Sequence, residues 1–359
     1  MTWTLHEAVT LAVGAQRQPA IAARHLYDAG LLDAGADLPS VWEGLGFDLA
    51  HLASARGRAD DLVASSRARG DHVIGWTCPA YPRVLRTLPD PPLALWVRGD
   101  PAVLAHPAVA VVGSRAARPA ALEVATALAT DLARCGLVVV SGLARGVDAA
   151  AHRGALATGR TAAVLGTGID VVYPGSHRAL AEAVARAGAL VSEFLPGTPP
   201  RAHHFPLRNR ILSGLVRAVV VVEASERSGS LITARLAAEQ GRDVMAVPGD
   251  VRGGANRGGH ALLRDGARLV ERAADVLEEL GWEAGPGPPS GDIGTPPPAI
   301  GMPPLLDVLR ATGGLGLDAL AERLGTSPPQ LLCDLLDFEL AGLVTRDGTG
   351  RFLPAERKW

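Results

Sequence analysis

The 359-residue sequence predicts an α/β protein. Its expected centre is a Rossmann-like, doubly wound, mostly parallel sheet, with an N-terminal helical (SAM-like) domain and a C-terminal winged helix. Three observations lead there. From Ala108 to about Leu280, short β-branched runs alternate with Ala- and Leu-rich helical stretches, the pattern of a parallel sheet covered on both faces. Ahead of that block, apolar residues recur at helical spacing. Behind it comes a proline- and glycine-rich interval, then a small unit with its own apolar periodicity.

In chain order, helices are expected at Leu5 to Val13, Pro19 to Ala29, Leu38 to Leu45 and Asp48 to Ala68, punctuated by Gly14, Gly30 and Gly46. This 1–70 domain could touch a nucleic-acid backbone as a helix-hairpin-helix does. A helical cap with no contact of its own is the preferred reading. Residues 71–107, with CPAYPRVL and LPDPPLALWVRGD, read as a connector ending in a strand, Leu93 to Val97. Strands then follow at 108–113, 137–141, 161–166, 189–192, 218–223, 243–247 and 267–270, within a sheet domain spanning 108–282. Helices between them include Pro119 to Arg134, Ser176 to Arg186 and Leu231 to Gln240. Eight Pro and five Gly crowd the 22 positions 283–304, so a linker is expected over 283–302. In the 303–359 domain, two helices, a third capped by Thr326 or Ser327 with Pro328 in its first turn, and a Gly-centred hairpin make the winged helix.

The formal net charge of −2 removes any argument from bulk basicity, so a polyanionic partner requires local charge. Basic residues are almost all Arg, with Lys358 the only lysine, and Arg suits bidentate phosphate contacts. Aromatics make up 4%, so base stacking rests on few side chains. Cys78, Cys135 and Cys333 are far apart, odd in number and without a C-x-x-C, which argues against a disulfide framework or structural zinc. No secretory signal pattern and no apolar run near ~18 residues is present. A soluble, cytoplasmic chain with no membrane contact is expected.

Phe194 to Val222 holds no acidic residue but carries Arg201, Arg208, Arg210 and Arg217. In a doubly wound sheet, loops leaving strand C-termini share one edge, where ligands bind. Three such loops here have phosphate-cradle chemistry: Gly113-Ser114-Arg115, the Ser141-Gly142-Leu143-Ala144-Arg145-Gly146 stretch, and Ser228-Gly229-Ser230 ahead of a helix. Small residues let backbone N–H groups approach an anion, and helix N-termini add a favourable dipole. Arg208 and Asn209 lie in an Arg-Asn-Arg turn beside them. Gly166-Thr167-Gly168 has Val171 where a dinucleotide site needs its third Gly, and no P-loop appears, so no nicotinamide, ATP or other cofactor is expected. His203 and His204, neighbours in an extended segment, point opposite ways and do not suggest a metal. Asp148 and His152 share a helix face and read as a local hydrogen bond. Ser141 lacks the setting of a nucleophile elbow, which leaves a Ser141–His152–Asp170 triad as an outlying alternative.

The strings VAVVGSR, SGLARGVDAAAH, TAAVLGTGIDVVYP, SEFLPGTPPRAHHFPLRNRILSGL, VVVEASERSGSLITARLAAEQGRDVMAVPG and GGHALLRDGA resemble the DprA (Smf) family, DNA-processing proteins of natural transformation. The likeness runs from about Val73 to Val270. It implies a protein that binds single-stranded DNA, forms a homodimer through its Rossmann-like domain, loads the recombinase RecA and catalyses no reaction. It further implies that Arg115 and Arg208 grip phosphates, that Asn209 hydrogen-bonds a base, and that the glycine-serine loops face phosphates. Two departures stand out. Gly259-His260-Ala261-Leu262-Leu263 replaces the family's G-x-N-x-L-I, and Pro119-Ala120 replaces an aromatic-Gly pair.

The competing expectation is a nucleotide-processing hydrolase of the lysine-decarboxylase-like Rossmann group. Such enzymes use P-G-G-x-G-T with a Glu just inside the next helix, whereas here no acid follows Ser230 until Glu239. A duplex-reading transcription factor is also disfavoured. The expected third helix of the winged unit, Pro328 to Leu340, carries Asp334, Asp337, Glu339 and one Gln330 but no basic residue, so a protein contact is its expected role, with Arg346 and Arg351 in the wing.

Overall fold

Valine-rich runs, too short for helices and flanked by glycine, build one nine-stranded sheet. Its strands are β1 (His72–Gly75), β2 (Ala94–Gly99), β3 (Ala108–Val112), β4 (Val138–Ser141), β5 (Thr161–Val164), β6 (Ala189–Ser192), β7 (Ala218–Val221), β8 (Asp243–Ala246) and β9 (Arg268–Leu269). They lie in the order β1-β2-β6-β5-β4-β3-β7-β8-β9. The structure, a computed structural model, describes residues 3–16, 18–31 and 37–282, and in the C-terminal segment 308–309, 312, 314–324, 331, 335, 344–347 and 351–354.

From β6 through β9 every neighbouring pair is parallel. The chain starts this block at β3, winds outward through β4 and β5 to β6, then returns to β7 on the other side of β3 and continues outward. The β3/β7 boundary is therefore the switch point, where a crevice opens beyond the strand ends.

Alternation along each strand feeds two cores. Val109 and Val111 of β3 pack with α5 (Pro119–Arg134), α6 (Val147–Leu156) and α11 (Ala273–Glu279), through Leu128, Leu132, Val147, Ala151 and Val276. Ala110 and Val112 face the opposite core. That core holds Val184 of α7 (Arg178–Ala187), Ile211 and Leu212 of α8 (His204–Gly214), and Ala234 of α9 (Gly229–Glu239). The N-terminal helices α1 (Leu5–Gly14), α2 (Pro19–Asp28), α3 (Leu38–Gly44) and α4 (Leu52–Ala68) share it through Leu11, Leu26, Trp42 and Val63. α10 (Arg257–Arg264) follows β8. Among the described residues no helix is long and apolar enough to cross a membrane.

Two expectations need correction. The sheet does not begin at Ala108: residues 71–107 supply β1 and β2, and β2 joins β6 antiparallel. Four-residue β1 is hard to see in a proline-rich sequence, and a polar lock holds it. The buried Asp71 carboxylate accepts from Arg98 Nε at 2.7 Å and Arg69 Nε at 3.2 Å. The stretch read as an extended pair of histidines and an Arg-Asn-Arg turn is the helix α8, with Pro206 in its first turn. Proline there costs no hydrogen bond, and α8 buries polar residues that a sequence pattern assigns to a loop. His203 is its N-cap, and His204 stacks on Phe194 with ring centroids 4.4 Å apart.

Residues 288–359 form a second compact unit. It contains α12 (Leu317–Leu324) and an antiparallel pair, β10 (Val344–Arg346) with β11 (Phe352–Pro354). Leu309, Leu320, Leu331, Leu335, Val344 and Phe352 form its core. The expected linker at 283–302 lies outside the described residues, as do Gln330, Asp334, Asp337 and Glu339 of the expected third helix.

Candidate functional site

Beyond the ends of β3 and β7 lies a crevice of about 780 Å³. Gly113, Ser114 and Arg115 line it from the loop after β3, Arg208 and Asn209 from α8, and Ser228, Gly229 and Ser230 from the start of α9. The loops are fixed by short-range chemistry. Ser114 N–H donates to the Glu223 carbonyl at 2.7 Å. Ser228 caps α9, its Oγ accepting from Ser230 N–H at 3.4 Å and lying 2.7 Å from Ser230 Oγ. The capped first turn of α9 opens on the crevice, where its dipole favours an anion.

Two of the expected site residues stand elsewhere. Ser141 is fully buried, and its Oγ donates to the Val111 carbonyl at 2.7 Å, so it braces the sheet. Gly142 lines a side chamber of about 240 Å³, together with Arg145, Pro174 and Ser176; Arg115, Ala144, Tyr173, Phe205 and Arg208 border both spaces.

The cations differ in kind. Arg208 is 4% exposed, donates to the Val164 carbonyl and leaves Nε without a partner. Burial pulls its pKa down to about 10, against the pull of Asp148 and with the repulsion of Arg115. It is a fixed charge in the floor rather than a flexible arm. Arg115 is exposed, and its guanidinium sits 5.2 Å from the centroid of the Phe205 ring. Tyr173 lies against the same ring at 5.6 Å. Arg115, Arg201 and Arg227 are exposed at the rim and make no ion pair among the described residues. Asp148 is the carboxylate in the lining; both Gly142 N–H (3.1 Å) and Ala144 N–H (3.3 Å) donate to it. Burial raises its pKa, and Arg208 opposes that rise. The Asn209 carboxamide hydrogen-bonds no described protein group and borders the crevice.

Asp148 and His152 do not bond each other, contrary to expectation. His152 Nδ1 pairs with Thr161 Oγ1 at 2.7 Å, while Asp148 holds the loop after β4. Burial lowers the His152 pKa to about 3, so its ring is neutral. Asp170 Oδ1 accepts from Gly197 N–H at 2.7 Å, so Ser141, His152 and Asp170 each serve a different neighbour and form no triad.

The loop after β4 is strained. Leu143 has φ +58° and is fully buried, and its carbonyl accepts from His177 Nδ1–H at 2.9 Å. Gly146 has φ +77°, and a Cβ there would overlap the Ser114 carbonyl oxygen. Both constraints exclude a side chain. Gly146→Ala is therefore expected to destabilise the protein by roughly 1–3 kcal/mol, read from urea denaturation, because the β3 and β4 loops must part to admit the methyl group.

Sequence reasoning missed Tyr173 and Arg227. Tyr173 carries a faint signal as an aromatic between Val-Val and Pro174 in a chain with three tyrosines. Arg227 precedes the Ser-Gly-Ser turn directly and was overshadowed by it.

A family model described as "DNA recombination-mediator protein A" matches residues 72–281. The chain belongs to the DprA family. A second model, the DprA winged helix domain, matches residues 295–349. Protein Smf of Escherichia coli is 40% identical over 279 residues, covering 76% of this chain and 75% of that protein. The DprA of Streptococcus pneumoniae is 46% identical over 201 residues, 56% of this chain and 71% of that one. An X-ray structure of the Streptococcus pneumoniae protein superposes with TM-score 0.68 and 37% identity, covering 78% of this chain and 99% of that one. A Helicobacter pylori structure, reported for its single-stranded-DNA binding mode, gives TM-score 0.53 and 28% identity over 58% of this chain and 95% of its own. Membership places the chain among DNA-processing recombination mediators with a Rossmann-like sheet and a winged helix.

Proposed function

We propose that this DprA-family protein holds single-stranded DNA in the switch-point crevice, shields it and hands it to the recombinase RecA during natural transformation. The observation that carries this reading is the crevice lining: exposed, unpaired arginines, a buried arginine and a helix N-terminus converge there. Among the described residues the one lining carboxylate, Asp148, is engaged by backbone N–H groups. In this reading Arg115, Arg208 and the α9 N-terminus bind phosphates, Gly113, Ser114, Ser228, Gly229 and Ser230 let the backbone approach, and Asn209 bonds a base. Phe205 and Tyr173 add apolar faces for base stacking, which tolerates any sequence. The protein acts as a cytoplasmic homodimer, so that two crevices engage one strand and raise the effective concentration. The acidic sequence at 334–339 supports a protein partner for the winged helix rather than duplex reading.

A hydrolase is the lesser reading, since Asp148 is tied to the loop after β4 and Glu239 closes the far end of α9. Gel shifts with the full chain test the proposal. Single strands of any composition should be retarded well before duplexes, with affinity falling by roughly 0.7 log unit per phosphate contact for each decade of salt. Exclusive binding to duplex, or release of free base from nucleotides, would overturn it.

A further inference from the structure

The side chamber of about 240 Å³ lies behind the Arg115–Phe205 wall, away from α9. That space is ample for a solvated phosphate. Arg115, Arg145 and Arg208 supply three guanidiniums to its lining, Ser176 a hydroxyl and Tyr173 a phenol. Among the described residues no carboxylate lines it; Asp148 accepts from the N–H groups of Gly142 and Ala144. Arg145 is exposed and makes no ion pair among the described residues. The independent sign of a ligand is Arg208. It is more than nine-tenths buried on the wall between the two spaces, its hydrogen bond goes to the neutral Val164 carbonyl, and it makes no ion pair among the described residues. Burying a guanidinium this way is costly unless an anion completes it.

We propose that the side chamber takes the phosphomonoester at the end of a DNA strand whose neighbouring nucleotide occupies the main crevice. The inference rests on the reading above. An internal phosphodiester carries one negative charge, whereas a terminal monoester carries about −1.5 to −2 at pH 7 with three acceptor oxygens. Three guanidiniums around one chamber match the more highly charged terminal group better. The crevice and chamber share Arg115, Phe205 and Arg208, so a strand end reaches the chamber without leaving the crevice. The protein would then recognise ends as well as strands.

The test compares short oligothymidines ending in hydroxyls with the same strands phosphorylated at the 5′ end or at the 3′ end, bound to the full chain. Phosphorylation of one end is expected to tighten binding by about tenfold, the worth of one added charge-assisted contact. Converting that phosphate to its methyl diester should remove the gain. Arg145→Ala should abolish the gain while leaving hydroxyl-ended strands bound as before; Arg145→Lys should keep part of it. A gain at the 5′ end, the 3′ end or both supports the inference and identifies the end. Equal binding of phosphorylated and hydroxyl strands, or a gain that survives in Arg145→Ala, overturns it. Failure of hydroxyl-ended strands to bind at all would instead overturn the single-strand reading itself.

Discussion

Replacing Arg210 by alanine is expected to destabilise the sheet domain by about 3–5 kcal/mol, the cost of breaking a buried ion pair from one side. The side chains of Arg210 and Glu193 are 4% and 3% exposed and form an ion pair. Arg210 Nη1 also donates to the Asp90 carbonyl at 2.6 Å, and Nε lies 3.5 Å from the Asp90 carboxylate. These contacts tie α8 to β6 and to the segment between β1 and β2. Without the cation, Glu193 is a buried carboxylate alone. Burial already raises its pKa, and Arg210 is what opposes that rise. A carboxyl with a raised folded pKa stabilises the fold while protonated and loses that contribution as pH climbs through the folded value. The deficit of the variant should therefore widen from acid to neutral pH. Urea midpoints at several pH values, at unchanged slope, provide the measurement. Below the melting transition, single-strand affinity should be retained, because Arg210 lies outside the crevice lining.

The contrast between Arg208 and Arg210 shows what the sequence could and could not reveal. The strands themselves were legible, because Val-rich runs such as Val109 to Val112 and Val219 to Val222 are short and bounded, and a doubly wound sheet brings the loops after its strands to one edge; their order was not. The polar segments were opaque. Periodicity reports apolar burial, so a helix that buries Arg208, Asn209, Arg210 and Ser213 reads as a loop. Ser141 had the composition of a phosphate loop, yet its hydroxyl turns inward to Val111. Its direction depends on the pleat of β4, whose four residues are buried on both faces, and buried parallel strands leave no alternation from which to read a face. Tyr173 and Phe205 lie 32 positions apart in the sequence yet meet, a contact that only the fold creates.

Arg115→Ala is expected to lower affinity for single-stranded DNA by about 10- to 100-fold, the worth of a charge-assisted contact, without moving the melting temperature. Its guanidinium is exposed, pairs with no acid among the described residues and lies over the Phe205 ring, so little folding energy depends on it. The salt dependence should flatten by about 0.7 log unit per decade for the phosphate contact removed. Arg208→Ala should differ in kind: it lowers affinity and also destabilises the protein, because Asp148 loses the cation that opposes its raised pKa and the cavity left beneath Gly142 stays lined by polar groups. Arg208→Lys separates the two roles. An ammonium keeps charge beside Asp148 but lacks the planar fork that reaches Val164 and a phosphate together, so stability should return further than affinity does. Fluorescence anisotropy and thermal melts on the three variants distinguish these outcomes. If Arg115→Ala binds as tightly as the native chain at every salt concentration, the strand does not run through this crevice, whatever Arg208 contributes to its walls.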